Sequence, residues 1–294
     1  MIPATLKEYL KELISKQLNT SVGSLKATSV GGGSINNCYR LTINDDRKLF
    51  LKLNSSTRFP GLFEKERNGL TFLGKQNCIR VPMVIFDTTV GNNQLLLLEW
   101  IEAGTRHEDF WKKFGQQLAQ LHGATHEHFG FAEDNYMGAL PQDNSFTKNW
   151  TEFFIKFRLQ PQIELASNKK LLQKTQAISF ESLFKKLDSV FNIEKPSLLH
   201  GDLWSGNFIC NDQSLPVLID PATYFGHRSM DLAMTTLFSG FEQPFYESYH
   251  YHFAFPANYR EQWEICNLYP LLIHLNLFGE SYLSDISRTL KKFS

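Results

Sequence analysis

The sequence predicts a bilobal α+β fold, with a small antiparallel-sheet N-lobe followed by a larger, mainly helical C-lobe. Three observations predict it. Runs of strand character broken by glycine- and asparagine-rich turns crowd the first hundred of 294 residues. Beyond Phe110, apolar residues recur at helical spacing. Inside that helical region, one polar stretch around His200 to Asn207 precedes an apolar strand that ends at Asp220. The expected division is residues 1–101 and 102–294, together forming one catalytic unit.

Residues 1–18 space apolar side chains around Glu8 and Glu12, which reads as an amphipathic helix and not as a signal peptide. Strands are expected at residues 24–30 and 38–43, joined by Gly31-Gly32-Gly33-Ser34-Ile35-Asn36-Asn37. Consecutive glycines can bring backbone N–H groups against phosphate oxygens, although a flexible hairpin would read the same way. After an Asn44-Asp45-Asp46 turn, residues 48–53 alternate Leu49, Leu51 and Leu53 on one face with Phe50 and Lys52 on the other. In the helix expected over residues 61–73, Leu62, Glu66, Leu70 and Leu73 share a face. A carboxylate inside an apolar stripe needs a cationic partner, and Lys52 is the natural one. A strand lysine paired with a helix glutamate is how kinases hold nucleotide α- and β-phosphates.

Val81-Pro82 opens another strand region, and residues 94–101 read as a continuous buried strand ending Glu99-Trp100-Ile101. It has the character of a hinge whose backbone meets an adenine edge; an ordinary central strand fits equally. In the C-lobe, residues 110–122 carry Phe110, Phe114, Leu118 and Leu121 at helical spacing. Residues 130–149 are irregular and read as a long ordered loop or a substrate lid. Helices are expected over 150–160 and onward through 190, from about Met230, over 262–278 and over 282–293. Asp231 either caps its helix or turns back to the loop at His200.

That loop reads His200-Gly201-Asp202-Leu203-Trp204-Ser205-Gly206-Asn207. Asp202 can accept a proton from an attacking hydroxyl, while Asn207 and Asp220 can hold a Mg²⁺ that bridges nucleotide phosphates. An Asp followed five residues later by Asn is the catalytic-loop spacing of kinases.

Composition agrees with a soluble globular protein. Thirty basic residues balance thirty acidic ones, so no global field favours nucleic acid or a membrane surface. Cys38, Cys78, Cys210 and Cys266 are scattered, as free thiols in a reducing, cytoplasmic compartment would be. The longest apolar run is too short to span a bilayer. His122, His126 and His128 cluster without the Glu that a metalloprotease helix needs.

Taken together these residues resemble the fructosamine kinase (ketosamine-3-kinase) family, which shares the protein-kinase-like fold of aminoglycoside phosphotransferases. The resemblance runs from about Ser29 to Tyr282. It rests on the glycine run, Phe63-x-x-Glu66-x-x-Gly69-Leu70, Gly130-Phe131 with Asp134-Asn135, and Gly138-x-x-Pro141-Gln142-x-Asn144. It continues through the His200 loop, Ile219-Asp220-Pro221-Ala222, Gly226-His227-Arg228-x-x-Asp231 and His274-Leu275-Asn276. Two departures stand out: Ser34 where several members carry cysteine, and Ser229 where an acid is common. The resemblance implies ATP- and Mg²⁺-dependent phosphorylation of the sugar 3-hydroxyl of a ketosamine, free or on a protein lysine, with a role in deglycation. It also implies that Trp204 and His274 line the sugar pocket. A kinase of aminoglycosides, choline or another hydroxyl compound is the alternative, and a non-catalytic nucleotide-binding protein a remote one. Monomer and homodimer are both compatible with the sequence.

Overall fold

The computed structural model describes residues 2–31 and 35–293. Its contacts divide the chain into two compact units, Met1–Thr105 with Ile209–Ile219, and Arg106–Phe208 with Asp220–Ser294.

The first unit is built on a five-stranded antiparallel sheet. Helix α1 (Ala4–Leu18) precedes β1 (Leu25–Val30), β2 (Asn37–Ile43) and β3 (Arg47–Ser55). Helix α2 (Leu62–Gly74) then leads to β4 (Val84–Val90) and β5 (Asn93–Glu99), giving the order β1-β2-β3-β5-β4. Alternation decides which side chains lie on which face. Leu49, Leu51 and Leu53 pack with Leu41, Leu95 and Leu97 into a core that takes Leu6, Leu10 and Ile14 of α1. Lys52, opposite Cys38 and Leu96 in the ladder, falls on the other face. Buried Gln94 fixes α2 to the sheet. Its Nε2 donates to Ser55 O and Phe59 O, and its Oε1 accepts from Phe63 N in the first turn of α2.

The second unit is mainly helical. It opens with α3 (Phe110–His122), followed by a small hairpin, β6 (Asn135–Met137) and β7 (Leu140–Gln142). Next come α4 (Trp150–Phe153), a π-helical stretch (Phe154–Leu159), α5 (Gln160–Asn168), α6 (Lys174–Phe184) and α7 (Leu187–Val190). Strands β8 (Ser197–Leu199) and β11 (Tyr224–Gly226) belong to this unit, whereas of the ribbon between them in sequence, β9 (Phe208–Cys210) and β10 (Pro216–Leu218), all but Phe208 falls in the first unit. The chain ends with α8 (Ser229–Leu237), α9 (Gln243–His252), α10 (Tyr259–Cys266), α11 (Leu268–Phe278) and α12 (Leu283–Phe293). Much of the phenylalanine content goes into one cluster, where Phe110, Phe114, Phe208, Phe241 and Phe245 meet edge-on or tilted. Gly115 lets α3 cross α9 closely, since a Cβ there would sit 2.2 Å from Phe245 O. No helix among the described residues is long and apolar enough to cross a membrane.

Several expectations are corrected. The strand over residues 94–101 stops at Glu99, leaving Trp100 and Ile101 outside regular structure. Residues 130–149 are not irregular throughout. They carry the β6–β7 hairpin, in which Gln142 is buried, as is Asn144 just beyond it. The helix over 150–160 widens into π geometry, and that over 262–278 is two helices meeting at Asn267. Pro270, in the first turn of α11, lacks the N–H that would have continued the helix from Cys266. Helix α9 was not expected from the sequence.

Candidate active site

In the first unit the lysine and glutamate singled out by spacing do meet. Lys52 Nζ donates to Glu66 Oε1 at 2.7 Å, with the side chains 1% and 10% exposed. Burial at that depth is tolerable because each charge is the other's partner. At the end of β3, Asn54 Nδ2 donates to Ile35 O and to Asn36 Oδ1, anchoring the descending limb of the glycine run. Gly31 is exposed, and a Cβ there would meet no heavy atom of the described residues within 4 Å. Gly32, Gly33 and Ser34 lie outside the described residues. Glu99 is held within its own unit: its N–H donates to Met83 O, and its carboxylate takes Met83 N and Arg80. Trp100 and Ile101 follow it, the indole facing Phe50 and the Arg40 guanidinium.

In the second unit two loops leave one strand pair. β8 and β11 are antiparallel, with Leu199 opposite Tyr224. The chain therefore enters the His200 loop beside the place where the Asp220 segment ends. Ala222 N donates to His200 O, and Gly201, at φ +86°, allows an approach that a Cβ would block at 2.0 Å from Ala222 O. Asp202 and Asn207 face each other, Asn207 Nδ2 donating to Asp202 O at 2.8 Å and to Oδ2 at 2.9 Å. This orientation leaves the Asn207 amide oxygen as its metal-capable end. Burial pushes the Asp202 carboxyl up to about 7, against the hydrogen bond from Asn207, with the charges of Asp220 and Asp231 adding to the rise. A carboxyl poised near neutrality suits proton acceptance.

The donor set fits Mg²⁺. Asn207 and Asp220 carry the hard oxygen atoms such an ion takes, and no group of three or more His, Cys, Asp or Glu among the described residues could hold an ion alone. An ion that keeps waters and phosphate oxygens needs only one or two protein ligands.

Trp204 lies over Gly206, where a Cβ would fall 2.3 Å from the ring. It meets Phe238 edge-on at 5.8 Å, and Phe238 lies 4.9 Å from His274. Trp204 and His274, 70 positions apart in the chain, thus belong to one aromatic wall. Phe238, which joins them, carries no motif that would have flagged it. His274 donates from Nδ1 to Pro270 O, and burial lowers its pKa. A neutral imidazole donating through Nδ1 keeps Nε2 as an acceptor.

Asp231 does not cap its helix. Buried below the loop, it accepts His200 N at 2.7 Å, Gly201 N at 2.8 Å and His122 Nε2 at 3.2 Å. Because a carboxylate only accepts, His122 donates through Nε2, and its Nδ1 takes the Tyr249 hydroxyl at 2.8 Å. Ser229 points elsewhere, donating to Gln262 Oε1. Its departure from an acid therefore concerns the α8–α10 contact.

Comparison with known proteins gives consistent results. The sequence profile of the family described as fructosamine kinase matches residues 6–294. A probable ketoamine kinase of Synechocystis sp. is 36% identical over 286 residues, covering 96% of each chain. The ketosamine-3-kinase of Mus musculus is 30% identical, covering 96% of this chain and 100% of its own. A candidate fructosamine-3-kinase from Thermobifida fusca superposes with a TM-score of 0.86 at 29% identity, covering 96% of this chain and 97% of that one. A macrolide 2′-phosphotransferase shares the fold at a TM-score of 0.58 and 13% identity, over 100% of this chain and 98% of its own. The fold is that of kinase-like phosphotransferases.

Proposed function

The chain belongs to the fructosamine kinase family, and on that premise we propose that it transfers the γ-phosphoryl group of ATP to the 3-hydroxyl of a ketosamine. The observation that carries this reading is the His200 loop. One eight-residue turn holds Asp202 against Asn207 and, two residues on, sets Trp204 into an aromatic wall with Phe238 and His274. A sugar presents CH edges that pack on an indole and hydroxyls that need polar partners, and this wall offers both.

In the reaction Asp202 orients the acceptor hydroxyl and takes its proton as its oxygen bonds to the γ-phosphorus and the bond from that phosphorus to the β,γ-bridging oxygen breaks, leaving ADP. Asn207 and Asp220 would hold Mg²⁺, which when bound would supply positive charge to the phosphate oxygens. For ATP we assign Lys52, which pairs with Glu66, to the α- and β-phosphates, the sequence run Gly31 to Ser34 to the same phosphates, and the backbone of Glu99, Trp100 and Ile101 to adenine. The acceptor is a small or protein-bound sugar amine, and removal of such adducts is the physiological consequence. The four free cysteines fit a reducing, cytoplasmic setting.

The test is a coupled ADP-release assay with fructosyl- and ribulosyl-amines beside an aminoglycoside and an amino alcohol. Turnover restricted to the sugar amines, reduced by roughly 10² in Asp202→Asn, is expected. Turnover on the other acceptors alone would reassign the substrate.

A further inference from the structure

Behind the Asp220 segment lies a buried polar network that the proposed chemistry leaves unused. Gln142, 1% exposed at the end of β7, donates from Nε2 to Ala222 O at 3.3 Å and to Asn135 Oδ1 at 2.7 Å. Asn135, at the start of β6, donates in turn to Thr223 O at 2.8 Å. The Gln142 oxygen accepts from the Tyr269 hydroxyl of α11 at 2.8 Å. Arg158, fully buried in the π-helical stretch, braces the chain just beyond β7 through Asp143 O and Asn144 Oδ1, both at 2.6 Å. Its guanidinium also lies 4.1 Å from the Tyr224 ring centre.

These contacts converge on the two carbonyls that follow Pro221. Asp220 itself sits at φ +55°, in the left-handed region. A non-glycine residue stays there only where its surroundings dictate it. Buried amides add little stability over well-packed apolar side chains, but they do fix one geometry. Such a network suits a carboxylate that must be aimed.

We propose that Gln142 and Asn135 are positioning residues that set the orientation of the Asp220 carboxylate toward its metal ion, by holding the carbonyls of Ala222 and Thr223. The β6–β7 hairpin is the outer brace of the metal site. This inference rests on the assignment of Asp220 as a metal ligand.

Gln142→Met keeps the side-chain length and removes both amide functions. In the presence of a non-hydrolysable ATP analogue and no acceptor, Mn²⁺ titration followed by electron paramagnetic resonance should show affinity weakened by about tenfold or more, as loss of outer-shell partners does elsewhere. In turnover, the Mg²⁺ requirement should rise by a similar factor while KM for the acceptor stays unchanged, and excess Mg²⁺ should restore much of kcat. A folded variant with unaltered Mn²⁺ affinity and Mg²⁺ requirement overturns the proposal. Should Gln142→Met fail to fold, Tyr269→Phe removes only the hydroxyl that orients Gln142 and must still raise the Mg²⁺ requirement; no change there overturns it equally. If Asp220→Ala leaves Mn²⁺ binding intact, the assignment of Asp220 has failed, and with it the hairpin's role. The absence of any ketosamine turnover with metal binding still sensitive to Gln142 would instead strike only the substrate.

Discussion

The carboxylate of Asp231 accepts the backbone N–H of Gly201 at 2.8 Å, one residue before the candidate base. It takes His200 N and His122 Nε2 as well, so a single buried side chain ties α8 and α3 to the His200 loop. Asp231→Asn turns one oxygen into an N–H that confronts existing donors. Buried hydrogen bonds to charged groups contribute about 1.5–3 kcal/mol each, so a loss of at least that size is expected in urea unfolding. A fall in kcat should accompany it in the fraction that folds. An unaltered unfolding midpoint would mean that the loop is held by other contacts.

Local periodicity made part of this molecule legible. The apolar spacing of residues 110–122 marks α3, and the misplaced carboxylate of Glu66 points to Lys52 across a strand–helix connection. In both cases the signal lies within one element or two neighbouring ones. The β6–β7 hairpin gives no such signal, because each strand is three residues long and its buried amides find their partners some 80 positions away. Asp231 was ambiguous for a related reason. A helix-start Asp reads as a cap until the backbone it accepts from, 30 residues earlier, is known. The break at Asn267 was missed although Pro270 lay there to mark it, whereas Phe238 was hidden, being one of 25 phenylalanines with nothing local to mark it.

Lys52 and Glu66 should behave as one unit. With Lys52 1% exposed, Glu66→Ala takes a charged partner from a buried ammonium and Lys52→Ala takes one from the Glu66 carboxylate. Breaking a buried pair from one side costs about 3–5 kcal/mol. The double variant should then be less impaired than the sum of the singles, in stability and in kcat/KM alike, with a coupling of about 1 kcal/mol or more. Additive effects in that cycle would show that the contact carries no energy.

The acid limb of the stability profile should bear the mark of His227. Burial, reinforced by the neighbouring Arg228 charge and opposed by Glu194, pushes this imidazole down to about 4. Its unfolded value lies near 6.5. Between those values the unfolded chain binds the extra proton, so stability is full above pH 6.5 and declines as pH falls toward 4. The total loss from this group is about 3 kcal/mol. Replacing it by His227→Gln should flatten the decline measured by urea denaturation between pH 7 and pH 5. Identical slopes in parent and variant would place the acid sensitivity elsewhere.

Phe238 offers the sharpest test of the acceptor wall. It meets Trp204 at 5.8 Å and His274 at 4.9 Å, so its removal leaves the indole and the imidazole without the ring that separates and supports them. His274 would keep Pro270 O as its partner and should hold its place, while the Trp204 ring, resting on Gly206, becomes free to tilt. Aromatic pairs of this kind add about 0.5–1.5 kcal/mol beyond the area they bury. Phe238→Ala should accordingly raise KM for a sugar amine by roughly tenfold, since 1.4 kcal/mol is a factor of ten in binding, with KM for ATP within about twofold of the parent. Phe238→Leu, which keeps bulk without the aromatic face, should fall between the two. Steady-state kinetics with each substrate varied in turn distinguish the outcomes. A rise confined to ATP would remove the wall from the acceptor side, and an equal rise for both would show that Phe238 supports the loop as a whole through Trp204.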